Sequence, residues 1–237
     1  MVTTQTIALA HDGSRTYDAY LAQPQHGEAA SIVIFTEMFG IGQHNRDMAE
    51  DYARRGFNAL IPNLFWRSAF PGELAFEGPD RDAAWARLAA LDVDAAGGDI
   101  GTAVQWLRAR PFSNDKVFAL GFCAGGRMAF VAAARAGVDA AVSFYGMGIA
   151  KHDAEFAHVN CPVQLHYGLK DPHIPRPEID AVTRAAAQRS NIEIFLYAEA
   201  GHSFFNPIRP GYHAASAKLA GKRLDALVDL TLATAPA

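Results

Sequence analysis

The stretch Lys116 to Met128 constrains this chain more than any other. It opens with Val117-Phe118-Ala119-Leu120, an apolar run that reads as a buried strand, and continues through Met128, Ala129 and Phe130 as a helix. Between them stands Gly121-Phe122-Cys123-Ala124-Gly125. This is the G-x-S-x-G pattern with cysteine in place of serine, in the strand-then-helix setting the pattern requires. The central residue of such a turn is strained, and the residues two before and two after it must be small to let strand and helix pass closely. The turn would lift Cys123 above the strand end and turn the amide of Ala124 toward a developing negative charge. A buried structural cysteine in a glycine-rich turn is the alternative, and the flanking strand and helix favour the nucleophile.

The rest of the chain supplies a scaffold for that turn. Residues 5–10 and 16–22 read as strands around Asp12-Gly13-Ser14, an antiparallel hairpin. Residues 30–36 form an apolar run of the kind found in strands buried on both faces. A helix is expected from Asn45 to Arg55, stopping at Gly56, and a strand from Phe57 to Pro62. Residues 63–79 have no clear periodicity and form either a functional rim or a packed connection. Asp80 is a candidate cap for a helix to Leu91, and Asp94 or Asp99 for a second one ending before Pro111. Strands at 140–145, 161–167 and 192–197 alternate with helices at 177–190 and 212–232, leaving a frayed tail at 233–237. Such alternation implies one α/β domain over 1–237, with a mostly parallel sheet, an N-terminal antiparallel hairpin and helices on both faces. Catalytic groups then cluster beyond the carboxyl ends of the strands.

Composition excludes several function classes. A net charge of -4 leaves no basic footprint for nucleic acid. No apolar run approaches the roughly 20 residues of a membrane span. The residues Met1 to Thr6 lack a signal-peptide pattern, and Cys123 and Cys161 lie in different elements, so reduced thiols in a cytoplasm are expected.

A nucleophile needs a base, and the base needs an orienting acid. In proteins with this turn the chain order is nucleophile, acid, histidine. The loop after the strand ending at Tyr167 presents Asp171, and the loop after the strand ending near Tyr197 presents His202. Each alone reads equally well as a turn aspartate or a surface histidine. Together with Cys123, in the required order and on the required loops, they form a candidate triad. His173 precedes the final strand and ranks low. His44, His152, His158, His166 and His213 show no metal-ligand spacing and read as solvated or core histidines.

Glu37-Met38-Phe39-Gly40, Gly121-Phe122-Cys123-Ala124-Gly125-Gly126, Gly168-Leu169-Lys170-Asp171 and Ala200-Gly201-His202-Ser203-Phe204 together resemble the dienelactone hydrolase family of the α/β-hydrolase fold. The resemblance runs in order over nearly the whole chain. It implies that Glu37 takes the thiol proton when substrate binds, so that a neutral thiol becomes nucleophilic on demand and escapes oxidation at rest. It implies an oxyanion hole made by the backbone N–H groups of Met38 and Ala124. It implies an anion-binding arginine at Arg81, with Trp85 where the family has a tyrosine. The family's second arginine falls near Asn206, in Phe204-Phe205-Asn206-Pro207-Ile208-Arg209, and Arg209 is the candidate to replace it. A lost arginine removes a charge-assisted contact to a carboxylate, and Trp85, Phe204 and Phe205 suggest a more apolar pocket.

The expected activity is therefore opening of a carboxymethylenebutenolide-like lactone, or an ester, through a Cys-His-Asp acyl-enzyme with an auxiliary Glu. Neither metal nor organic cofactor is required, and the expected partner is a small anionic substrate met by a monomer or weak dimer. Two alternatives stay open: a carboxylesterase for an uncharged ester, and a non-catalytic small-molecule binder on the same scaffold.

Overall fold

A computed structural model of the chain describes residues 1–25 and 27–233. Its elements run β1 (Val2–Asp12), β2 (Arg15–Pro24), β3 (Ala29–Phe35), α1 (Gln43–Arg54), β4 (Asn58–Pro62), α2 (Gly78–Ala89), α3 (Val93–Arg108), β5 (Ser113–Phe122), α4 (Ala124–Arg135), β6 (Ala140–Phe144), a 3-10 stretch Ile149–His158, β7 (Val163–Gly168), α5 (Arg176–Ala186), β8 (Ile192–Tyr197) and α6 (Ala214–Ala233). The strands belong to an eight-stranded sheet ordered β1-β2-β4-β3-β5-β6-β7-β8, the α/β architecture expected from the alternation. Beyond Ala233, the tail expected at 233–237 lies outside the described residues. The chain divides into two compact units, Met1–Phe118 and Ala119 onward.

In the first unit β1 and β2 pair antiparallel, and Asp12 faces Arg15 across the two-residue turn Gly13-Ser14. Gly13 takes φ 58°, the left-handed conformation such turns demand. β2 pairs antiparallel with β4, and β4 runs parallel to β3. Every residue of β3 is buried, as its unbroken apolar run implies. Fully burying a side chain such as Ile34 or Phe35 stabilises by roughly 1.5–3 kcal/mol, so this strand anchors the unit.

Two helix starts differ from expectation. Asp92 caps α3, its carboxylate accepting the Asp94 and Ala95 amides at 2.9 and 3.0 Å. Asp94 and Asp99 therefore both lie inside the helix, and Asp99 instead accepts the Trp66 indole N–H at 2.9 Å and pairs with Arg67. Asp80 does not cap α2, which begins at Gly78 with Pro79 in its first turn. The Asp80 carboxylate accepts the Ala75 amide at 2.8 Å. In both cases the acidic side chain serves the aperiodic segment 63–77, which the sequence pattern could not reveal.

In the second unit β6, β7 and β8 are parallel. α4 and α6 both contact β6. Phe130, Phe144, Tyr145, Tyr167 and Phe204 are fully buried around them. His166 is a core histidine, as expected. Its Nδ1 meets the Tyr197 hydroxyl at 2.8 Å and its Nε2 meets Gln164 Oε1 at 3.2 Å. Burial, assisted by the Arg223 guanidinium, pushes its pKa down to about 3, so it stays neutral. The 3-10 stretch was not expected. It follows Gly148, which caps it in the left-handed conformation at φ 81°.

Candidate active site

The chemistry-bearing side chains of the second unit are set by backbone geometry. Cys123 stands between β5 and α4 with φ 56° and ψ −115°, strained for a residue with a side chain. Its N–H donates to the Phe144 carbonyl at 3.0 Å, and its carbonyl accepts the amides of Gly126 and Arg127 at 3.0 and 3.3 Å. The turn is tight enough that a Cβ on Gly121 would lie 1.9 Å from the Gly125 carbonyl oxygen. A Cβ on Gly126 would lie 2.7 Å from the Phe144 carbonyl oxygen. Gly121 thus needs its missing side chain for strand and helix to pass, and Gly126 for α4 to pass the end of β6. Ala124 is the first residue of α4, so its amide is among those without an intrahelical acceptor.

Asp171 and His202 are brought together by two stitched loops. The Leu169 amide donates to the Tyr197 carbonyl and the Lys170 amide to the Ala200 carbonyl, both at 2.9 Å. A Cβ on Gly168 would lie 2.4 Å from that same Ala200 oxygen, and one on Gly211 would lie 2.0 Å from the His202 oxygen. Held this way, Asp171 accepts the His202 Nδ1–H at 2.7 Å through Oδ2. Its Oδ1 accepts the His173 amide, also at 2.7 Å. With Nδ1 engaged by Asp171, Nε2 is the ring nitrogen left for another partner.

The Asp171 side chain is fully buried and that of His202 only 13% exposed. Burial alone would push the imidazole's pKa down. The negative charge of a Cys123 thiolate, together with the hydrogen bonds to Asp171 and Cys123, overcomes it and raises the pKa from 6.5 to about 10. A negative charge at Cys123 and the Asp171 carboxylate thus both favour the protonated form of the His202 imidazole. Cys161 is different: burial pushes its thiol up to about 11, which keeps it protonated and inert.

His173 earned little weight from sequence position, yet its ring lies 4.9 Å from that of His202, edge to face. Its proximity follows from the sharp turn at Asp171, which no periodicity signals. Met147 was also missed. Its sulfur lies 3.6 Å from Cys123 Sγ, in the loop following β6.

The chain matches the family model of the dienelactone hydrolase family over residues 17–229. The chain belongs to the dienelactone hydrolase family. It is accordingly a hydrolase of the lactone and ester class. A carboxymethylenebutenolidase of Pseudomonas putida is 34% identical over 231 residues, covering 96% of this chain and 97% of that one. Carboxymethylenebutenolidase 1 of Cupriavidus pinatubonensis is 32% identical over 208 residues, 87% of this chain and 88% of that one. A crystal structure of a Klebsiella pneumoniae protein assigned as a dienelactone hydrolase superposes with a TM-score of 0.85 at 26% identity, covering 96% and 98% of the two chains.

The residues that the resemblance singles out divide by environment. Glu37 is buried just past the end of β3, and Met38 follows it, buried too. Burial pushes the pKa of nearby His44 down, and the Glu37 and Asp47 charges oppose that shift. Arg81 is exposed and Trp85 half-buried, one turn apart on α2 and hence on one face. Phe204, expected to line a pocket, is instead fully buried, with its ring 4.9 Å from Tyr197 and 5.5 Å from Tyr145. It props the His202 loop and offers no open surface. Phe205 is half-buried and stacks on Phe144 at 4.2 Å. Asn206 is also buried, and its side chain accepts the Ile208 amide at 3.2 Å. That side chain closes a turn over residues 206–208, immediately before Arg209.

Among the described residues no group of three or more His, Cys, Asp or Glu side chains could hold a metal ion. No described helix is long and apolar enough to cross a membrane. A cavity of about 330 Å³ in the first unit is lined by Leu64, Phe65, Phe70, Arg87, Leu91 and Asp99 among others. None of Glu37, Cys123, Asp171 or His202 lines it.

Proposed function

We propose that this hydrolase opens a lactone or ester through a covalent Cys123 acyl-enzyme. The observation that carries the reading is the relay Asp171–His202–Cys123, with its 2.7 Å acid–base contact and its raised imidazole pKa. The Cys123 sulfur adds to the substrate carbonyl carbon, and the carbonyl oxygen becomes an oxyanion held by the amides of Ala124 and Met38. The C–O bond to the leaving oxygen breaks, and His202 gives that oxygen its proton. Water, deprotonated by His202, then adds to the thioester. Collapse returns the thiolate, which recovers the proton lent to Glu37, and frees a carboxylic acid that loses its proton to water. Asp171 holds the Nδ1–H tautomer throughout.

Glu37 is assigned the first proton transfer from the thiol, as the resemblance implies; its burial beside Met38 and Phe39 supports the assignment. The two curated relatives are named for carboxymethylenebutenolide, an enol lactone, and that is the substrate class proposed here. Arg81 is the proposed anchor for the substrate carboxylate, with Arg209 as the second. A reducing cytoplasm suits a nucleophilic thiol of this kind.

An uncharged ester is the second reading, favoured by the neutral, turn-closing Asn206 at the position of the family's second arginine. Steady-state hydrolysis of a carboxylate-bearing enol lactone and a neutral aryl ester tests both. The native enzyme is expected to prefer the lactone, and Arg81→Ala to raise its KM selectively. A preference for the neutral ester would replace the first reading by the second. In Cys123→Ala neither substrate should turn over, and retained turnover would remove the acyl-enzyme.

A further inference from the structure

The loop that carries Met38 is tied down at three consecutive carbonyls. That of Glu37 accepts the Gly40 amide at 3.3 Å and that of Phe39 accepts the Leu74 amide at 2.9 Å. The middle one, of Met38 itself, accepts Nε of Arg87 at 2.7 Å. Arg87 projects from α2 and is only 3% exposed. Its Nη1 donates to the carbonyls of Phe70 and Gly72 at 2.6 and 2.7 Å, and its guanidinium carbon lies 4.4 Å from the centre of the Phe65 ring.

A buried guanidinium is costly, and here burial pushes its pKa down to about 10. The acceptors it meets are main-chain carbonyls from two separate loops. The loop backbone is shaped to it: Gly40 has φ 82°, and a Cβ there would sit 3.1 Å from Nη2 and 3.0 Å from the Gly72 oxygen. A planar fork can hold several carbonyls in fixed directions at once, which an ammonium on a flexible stem cannot do. The Met38 N–H shares a peptide plane with the Glu37 carbonyl, held by the Gly40 amide, and the Met38 carbonyl lies in the next plane, so the Arg87 bond limits rotation between the two planes and steadies the direction of that N–H.

We propose that Arg87 is a positioning residue for oxyanion stabilisation, acting through the backbone of Met38; this rests on the reading of Met38 as an oxyanion donor. Loss of a whole oxyanion donor costs about 10²–10³ in kcat, and a donor left in place but misdirected should cost about 10- to 100-fold. The loss falls on kcat, because the ground-state ester carries little charge on that oxygen.

The experiment uses Arg87→Lys, which keeps the charge and loses the fork, alongside Arg87→Ala. Three quantities are compared with the native enzyme. The first is turnover per Cys123 thiol alkylated by iodoacetamide, a reaction that forms no oxyanion. The second is KM. The third is inhibition by a trifluoromethyl ketone, to which Cys123 adds reversibly while Glu37 takes the thiol proton and the carbonyl oxygen becomes an oxyanion.

Arg87→Lys is expected to alkylate within about twofold of the native rate and to keep KM within about threefold. Turnover per thiol and affinity for the ketone should each fall about 10- to 100-fold. Unchanged turnover and ketone affinity would overturn the proposal. So would a loss of turnover matched by an equal loss of alkylatable thiol, which marks a merely structural arginine. The underlying reading fails separately: native enzyme that binds the ketone no better than the corresponding trifluoromethyl alcohol has no working oxyanion hole.

Discussion

Two regions of this chain solve the same problem, fixing an irregular backbone, in different ways. In the second unit the turns bearing Cys123, Asp171 and His202 are fixed by backbone hydrogen bonds and by glycines that let main chain meet main chain. Lys170 and Ala200, Cys123 and Phe144, and His213 and Phe204 are joined amide to carbonyl. In the first unit the segments 37–42 and 63–77 also carry main-chain bonds, Leu74 amide to Phe39 carbonyl among them, and are fastened in addition by side chains reaching from helices. Arg87 takes three carbonyls, Asp99 takes Trp66 and Arg67, and Asp80 takes Ala75. The 63–77 segment is therefore a fastened connection at these points. The contrast teaches where tolerance lies. Backbone-stitched turns fail when a methyl group is added, and side-chain-fastened loops fail when a side chain is removed.

The largest expected effect tests the acid that the stitched loops deliver. Asp171→Asn keeps the size of the side chain but no longer enforces the Nδ1–H tautomer of His202. By analogy with the serine-protease triad, kcat should fall by about 10³–10⁴, with the far-ultraviolet circular dichroism unchanged. Native-like turnover would mean that another group orients His202, and the stitched loops would lose their catalytic purpose.

Gly121→Ala comes next. Its methyl carbon has no space against the Gly125 peptide, main chain that cannot swing aside. Strand and helix must separate, so urea unfolding should show a loss of at least about 3 kcal/mol, with activity lost alongside. Gly40→Ala is the matched change in the side-chain-fastened region. There the contacts are 3.0 Å to the Gly72 carbonyl oxygen and 3.1 Å to Arg87 Nη2, each needing only a small shift, and the main penalty is φ 82°. A loss of about 1–2 kcal/mol is expected from the left-handed backbone. If the two losses were equal, the distinction between the regions would collapse.

This difference also governs what could be read from the sequence. The elbow around Cys123, the aspartate after β7 and the histidine after β8 were legible because glycine, strand end and chain order are local signals. The buried run of β3 was legible because continuous apolar composition needs no partner to be recognised. The helix starts at Asp80, Asp94 and Asp99 were misplaced because an acidic residue near a helix start looks alike whether it caps that helix or fastens a distant loop. Arg87 carried no signal, since one arginine in a helix does not announce three carbonyls from other segments. Hydrophobicity alone points Phe204 to a pocket, since it does not distinguish a lining ring from a ring buried beneath the histidine loop. Met147 reached Cys123 through the turn after β6, which begins with Tyr145 at φ 41° and has no sequence marker.

The smallest expected effect is the sharpest control on the contrast. Gly201 immediately precedes His202 and belongs to the same motif, so pattern alone would treat it like Gly121. The structure treats it differently. A Cβ at Gly201 would find the Lys170 carbonyl oxygen as its nearest neighbour, at 3.5 Å, an ordinary van der Waals contact. Its φ lies outside the left-handed region, unlike that of neighbouring Ser203 at 59°. Alanine at such a position restricts the unfolded chain without straining the folded one, which stabilises by about 0.4–1 kcal/mol. Gly201→Ala should therefore unfold at equal or slightly higher urea and keep kcat within about threefold. A collapse of kcat with stability intact would show that the His202 loop must move during turnover. The stitching would then describe only the resting enzyme, and the rigidity ascribed to the second region would have to be confined to the elbow at Cys123.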